Sequence, residues 1–130
     1  MTLFCDSRFN ALLVEPEQPP REVWVENSRK GILSYIGGGA VMKYEQPHDA
    51  ACLLFSTGPQ GKCPPNRAVF GKDGGVPFII YGPFLITGRL YGDRLCGLCP
   101  EQVVEYRRQF LVPHVFVREN NEVVLWRSNG

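Results

Sequence analysis

Apolar positions in this chain fall into short runs, many with a period of two, broken at close intervals by proline and glycine, and only two segments carry a helical period. Residues 11–14 run into Glu15-Pro-Glu-Gln-Pro-Pro20, whose three prolines stop a strand. Residues 22–25 then alternate polar and apolar as the returning arm of a hairpin. From Asn27 or Ser28, both good N-caps, the spacing of Ile32, Tyr35 and Ile36 predicts a short helix stopped by Gly37-Gly38-Gly39 and weakened by Gly31. Residues 41–44 and 50–55 predict a second hairpin about Gln46-Pro47-His48-Asp49. A Pro64-Pro65 corner follows, then a strand at 68–70, a Gly71-Lys-Asp-Gly-Gly75 turn and a long core strand over 76–87, interrupted by Gly82-Pro83.

Four signals agree on a second helix. Cys99 stands at the N-cap, Pro100 at the first helical position, Gln102 where a capping box reaches back, and Leu98 where it staples onto Val103. Val103, Tyr106 and Phe110 form its apolar stripe, Glu101, Glu105, Arg107 and Arg108 face water, and Pro113 ends it. Residues 115–117 and 123–126 predict a terminal hairpin, because Asn120 and Asn121 tolerate the positive φ of a two-residue turn. The expected fold class is α+β: an antiparallel or mixed sheet with two helices packed against it and a C-terminal β-hairpin.

Composition narrows the picture. The 130 residues suit one domain, residues 1–130, and 44% apolar content fills a single core. A net charge of +1 with mixed signs lacks the basic footprint of backbone-driven nucleic-acid binding, so nucleic acid is not the favoured partner. Apolar runs fall far short of the ~20 residues of a membrane-spanning helix, and the N-terminal residues do not read as a leader, so no membrane association is expected. Five cysteines, an odd number with one Cys-x-x-Cys, fit a reducing cytoplasm.

The blocks Ala11-Leu-Leu-Val-Glu-Pro, Pro20-Arg-Glu-Val, Ile36-Gly-Gly and Pro65-Asn66-Arg67-Ala, with the Ile80-x-Gly82-x-Phe84-x-Ile86-x-Gly88 strand and Pro100-Glu-x-x-x-x-Tyr106-x-x-x-Phe110, carry a resemblance. In order and spacing they resemble a small domain family of unknown function carried by bacteriophages, plasmids and conjugative elements, over about residues 11–110. The chain departs from that pattern at Cys63, at the Cys96-Gly-Leu-Cys99 pair and in the hairpin, which is an extension over residues 113–130. The resemblance implies a mobile-element accessory protein in the cytoplasm of a bacterial host, and it hands over no catalytic residues.

Candidate chemistry centres on the corner. Asn66 and Arg67, pinned by two prolines, form a preorganised element whose planar fork suits phosphate or carboxylate, and Tyr81, an aromatic able to stack a base, is the third candidate ligand-binding residue. The competing role is structural, with Arg67 pairing an internal acid such as Glu15. Cys96 and Cys99 are half of a tetrahedral zinc site, and Cys63 with Cys52, Cys5 or His48 is the remaining donor set. With irregular spacing and no second Cys-x-x-Cys, reduced structural cysteine and no cofactor are expected, zinc on Cys63, Cys96 and Cys99 being the alternative. The Gly71 turn lacks the Gly-Lys-Ser/Thr ending of a phosphate loop. His48 and His114 have no neighbouring nucleophile, and most aromatics fall on core stripes. The expected function is non-enzymatic: an accessory protein that inhibits or sequesters a component of a host pathway such as defence. Its partner is a host or phage protein or a small phosphate-bearing ligand. A nucleic-acid-binding module and a small enzyme using Arg67 with a nearby acid are the alternatives.

Overall fold

The computed structural model describes residues 7–46, 49–58, 62–70, 78–90 and 94–127. Ten strands and two helices follow in the order β1 (Arg8–Val14), β2 (Arg21–Glu26), α1 (Arg29–Ile36), β3 (Val41–Glu45), β4 (Ala51–Ser56), β5 (Pro65–Val69), β6 (Phe78–Tyr81), β7 (Phe84–Arg89), β8 (Leu95–Cys96), α2 (Pro100–Gln109), β9 (Val115–Glu119) and β10 (Glu122–Arg127). The main sheet runs β2-β1-β7-β4-β3 with β8 added to β7, and β5-β6 and β9-β10 are separate two-stranded ladders. All pairings are antiparallel, so the expected α+β class holds.

The period of two sorts side chains onto the two faces of the main sheet. Leu12, Val14, Ala51, Leu53, Phe84 and Ile86 point to one face and pack with Val69, Ile80, Tyr106 and Phe110 of β5, β6 and α2. Ala11, Leu13, Cys52, Leu54 and Leu85 point to the other and pack with Ile32 and Ile36 of α1. The two helices therefore cover opposite faces. Strands buried on both sides need apolar residues at successive positions, which is why residues 11–14 of β1, 51–55 of β4 and 84–86 of β7 read as apolar runs.

Helix α1 starts where Ser28 Oγ accepts from Gly31 N at 3.0 Å and stops at Gly37, φ 88°. Gly31 has a packing reason beyond its poor helix propensity. A Cβ there would lie 2.6 Å from Glu26 Cβ and press on Glu26 O, so the bare backbone lets α1 turn tightly out of β2.

The expected single strand over 76–87 is two strands in two sheets. Gly82 takes φ 75° and its N–H donates to Pro64 O at 3.1 Å, while Pro83 has no donor to continue a ladder. Tyr81 therefore ends β6 and Phe84 begins β7, the central strand; Val76, Pro77 and the Gly71–Gly75 turn lie outside the described residues. The strand expected at 68–70 begins earlier, at Pro65, and Phe70 lies beyond its end. Strand β8, too short to leave a pattern, pairs with the end of β7, and the residues after it meet β1, with Leu98 N donating to Asn10 O at 3.2 Å and Asn10 Nδ2 to Leu98 O at 3.0 Å.

Helix α2 carries its expected start: Cys99 N donates to Gln102 Oε1 at 2.9 Å, and Leu98 and Val103 join one apolar cluster. The β9-β10 turn has Asn120 and Asn121 at φ 50° and 66°, the left-handed pair a two-residue hairpin requires. Among the described residues no helix is long and apolar enough to cross a membrane.

Candidate functional site

The corner folds Asn66 and Arg67 inward. Asn66 is buried, and its Nδ2 donates to Val14 O at 2.9 Å and Gly82 O at 2.8 Å, joining the ends of β1 and β6. Its Oδ1 accepts from Arg67 Nη1 at 2.7 Å, so every polar atom of the side chain is used. Arg67 is 0% exposed. Its Nη1 also donates to Asn66 O at 3.2 Å, and its Nη2 donates to Gln18 O at 2.8 Å and Phe110 O at 2.9 Å. Phe110 is the C-cap of α2, so the cation sits at the negative end of a helix dipole. Among the described residues no carboxylate meets it; Glu15, the acid expected beside it, pairs with Arg21 at 3.4 Å. Burial alone pulls the guanidinium down to about 10, because a desolvated charge is disfavoured.

A second clasp lies beside the first. Ala68 N donates to His114 Nδ1 at 2.9 Å, fixing the imidazole as an acceptor at that nitrogen. Burial first, and then the charge of Arg67, lowers the His114 pKa below 6.5. These residues tie the segment after α2 to β5. On the far side of α2, Tyr106 Oη donates to Asp49 Oδ2 at 2.7 Å and Gln102 Nε2 to Asp49 Oδ1 at 3.1 Å, holding the helix to the residues before β4. Burial and the bond to Asp49 push the Tyr106 hydroxyl pKa up.

The outward side of the corner is open. A groove of about 790 Å³ separates Lys62, Cys63, Pro64, Pro65 and Tyr81 from Arg118, Asn121, Glu122 and Val123 of the terminal hairpin. Its floor is set by register, since Pro65 lies opposite Tyr81 in the β5-β6 ladder. Of the three corner residues expected to meet a ligand, Tyr81 alone lines this space; Asn66 and Arg67 brace it from behind. Lys62 and Arg118 carried no sequence signal beyond their charge, because only the tertiary fold brings the hairpin over the corner.

The cysteines are dispersed. Cys63 faces the groove, Cys52 is buried with Sγ 3.3 Å from Thr87 Oγ1, and Cys96 and Cys99 sit at the β8-α2 junction. Burial raises the thiol pKa of Cys52, and burial with the neighbouring Cys99 raises that of Cys96. Among the described residues no three His, Cys, Asp or Glu side chains gather as metal donors; Cys5 and His48 lie outside them.

Several large apolar side chains are left in water, Met42, Phe70 and Leu90 among them. Leu111, Val112, Val115 and Trp126 are 50–61% exposed at the junction of α2 with the hairpin, and Val104 is exposed on the helix before it. The register puts Arg127 opposite Val115, with Trp126 beside it at the bulge. Trp24 is also exposed, so neither tryptophan is among the aromatics that fill the core. Trp24 lies on β2, the edge strand of the main sheet, and Trp126 on the separate β9-β10 ladder.

No curated protein and no solved structure matches the chain. A family described as Domain of unknown function (DUF3846) matches residues 9–111, from the start of β1 to just past α2, leaving the β9-β10 hairpin outside the match. Most of the chain lies within that match, and the protein belongs to the DUF3846 family.

Proposed function

We propose that this protein is a non-enzymatic accessory protein of a mobile element, acting in the bacterial cytoplasm by occupying a host protein, such as a component of a defence pathway, and so inhibiting or sequestering it. The mobile-element setting rests on the family resemblance of the sequence blocks. The observation that carries the binding mode is the exposed set Leu111, Val112, Val115 and Trp126. Large apolar side chains kept in water, here close along the chain or brought near by the β9-β10 register, mark interaction surfaces, and tryptophan is prominent among interface anchors.

The margin of this surface defines the partner's chemistry. Arg107 and Arg108 occupy the exposed last turn of α2, immediately before Leu111 and Val112. A partner with an apolar centre and an acidic border matches it. The test compares wild type with Trp126→Glu and Val115→Glu, matched for melting temperature, by capture of host proteins and then by dissociation constants on the purified candidate. A host protein held by wild type and released by both variants supports the reading. Equal binding by all three removes this surface from the interface.

A further inference from the structure

The groove between the corner and the hairpin has the size of a small-molecule site with an open, mostly polar lining, and nothing in the family match assigns it a ligand. One wall is rigid: Pro64 and Pro65 have fixed φ, Gly82 N holds Pro64 O, and Asn66 bolts the same turn to β1. Tyr81, partly buried, lines this wall with the two prolines, opposite Pro65 in the ladder. The other wall is held by the tight turn at Asn120 and Asn121.

Three charged side chains face this volume from the two walls. Lys62 and Arg118 are exposed, and neither has a hydrogen bond or ion pair with another described residue. Arg118 contrasts with Arg67, whose Nη hydrogens are all spent on oxygens of the fold. A free guanidinium fork and an ammonium on opposite walls suit an anion with several oxygens, for which phosphate is the common case. Glu122 adds one acceptor, which suits an N–H or amino group on the same ligand. An aromatic ring on a proline floor suits a planar ring.

We propose that this groove binds a mononucleotide, its phosphate held between Lys62 and Arg118, its base lying on Tyr81, and an amino or N–H group of the base donating to Glu122. The proposal is independent of the apolar surface at Trp126, which lies at the other end of the hairpin strands.

Isothermal titration of the full chain at low salt with GMP, AMP, CMP, UMP and inorganic phosphate tests it. At least one mononucleotide binds at one site and exceeds inorganic phosphate by about tenfold or more, since the ring and the amino contact add to the anion. Arg118→Gln and Lys62→Gln each weaken that binding about tenfold through the loss of a charge-assisted bond. Tyr81→Phe keeps the ring and the affinity, whereas Tyr81→Ser loses it, and Glu122→Gln narrows the preference among bases. Melting temperatures of the Lys62, Arg118 and Glu122 variants stay at the wild-type value because these side chains are exposed. No binding of any mononucleotide at millimolar concentration overturns the proposal. So does inorganic phosphate binding as tightly, indifference to Arg118 and Tyr81, or a short single-stranded oligonucleotide binding more tightly than every mononucleotide, which assigns the groove to nucleic acid.

Discussion

The two faces of the main sheet are covered in different ways. The face under α1 is closed by apolar contact: Ile32 and Ile36 sit on Leu13, Cys52, Leu54 and Leu85, and the polar work is done at the helix ends by Ser28 and Gly37. The face under β5, β6 and α2 has an apolar cluster of its own but is also stitched through polar atoms, with Arg67 and Asn66 bonded to oxygens of four different segments and Asp49 gripping two residues of α2. Apolar burial is non-directional and tolerates small shifts, whereas a buried polar network costs most when one member is missing. The first face is therefore expected to yield gradually to substitution and the second abruptly.

Arg67→Met breaks that comparison hardest. It strands the Phe110 and Asn66 oxygens in a buried position and the Gln18 oxygen in a part-buried one, and a loss of about 3 kcal/mol or more is expected in urea unfolding. Arg67→Lys keeps the charge but cannot place four donors on those oxygens at once, so it loses most of the same stability. A guanidinium with no described carboxylate beside it is tolerated here because the oxygens and the α2 C-terminus stand in for a counter-ion. An unchanged unfolding midpoint in both variants shows that the face does not depend on this clasp.

The α1 face has one stiff point, Gly31. Gly31→Ala improves helix propensity by about 1 kcal/mol, but its Cβ meets the Glu26 backbone and forces α1 off the sheet, at about 1–3 kcal/mol. A net loss of stability, smaller than that of Arg67→Met, is expected by thermal melting. A gain shows that the helix moves freely and that Gly31 is a defect.

The same division explains what the sequence made legible. The α1 face follows from local rules: the alternation of Val23 and Val25, the cap at Ser28 and the glycine stop at Gly37 each act within a few residues of their own position. The start of α2 and the Asn120-Asn121 turn were readable for the same reason. The other face was not, because the partners of Arg67 lie at Gln18 and Phe110, and a backbone oxygen is the same group in every residue and leaves no mark in the sequence. Gly82-Pro83 was visible as a break, but that the break transfers the chain between two sheets depends on Pro64, far back along the chain. The groove was legible only in Tyr81, since Lys62 and Arg118 are drawn together by the docking of a hairpin that lies outside the family match.

Acidification sharpens the comparison with a smaller effect. In the unfolded chain His114 titrates near its ordinary 6.5, and in the folded chain it titrates lower, for burial and Arg67 both oppose a second cation. Below pH 6.5 the unfolded chain takes up a proton that the folded chain refuses. The contribution of His114 is thus fully present above 6.5 and is lost as pH falls through the lower folded value. Urea midpoints measured at neutral pH and at successively lower pH should fall more for wild type than for His114→Asn, whose side-chain oxygen accepts from Ala68 without titrating. Parallel falls in the two proteins assign the acid sensitivity to other groups.

The smallest effect is expected where neither face is involved. Trp126 is 61% exposed and Val115 53%, both on a two-stranded ladder outside the main sheet, so their removal uncovers no core. Trp126→Ser and Val115→Ser should each change unfolding free energy by no more than about 0.5 kcal/mol, as surface substitutions away from caps and clasps do. The prediction separates two reasons for leaving a tryptophan in water. If the ring serves a partner, stability is indifferent to it while binding is not; if it shields the hairpin ladder, stability falls with it. A loss well beyond that bound in Trp126→Ser makes the tryptophan part of the hairpin's own support, and the interaction surface then shrinks to Leu111 and Val112 after α2 and Val115 at the start of β9.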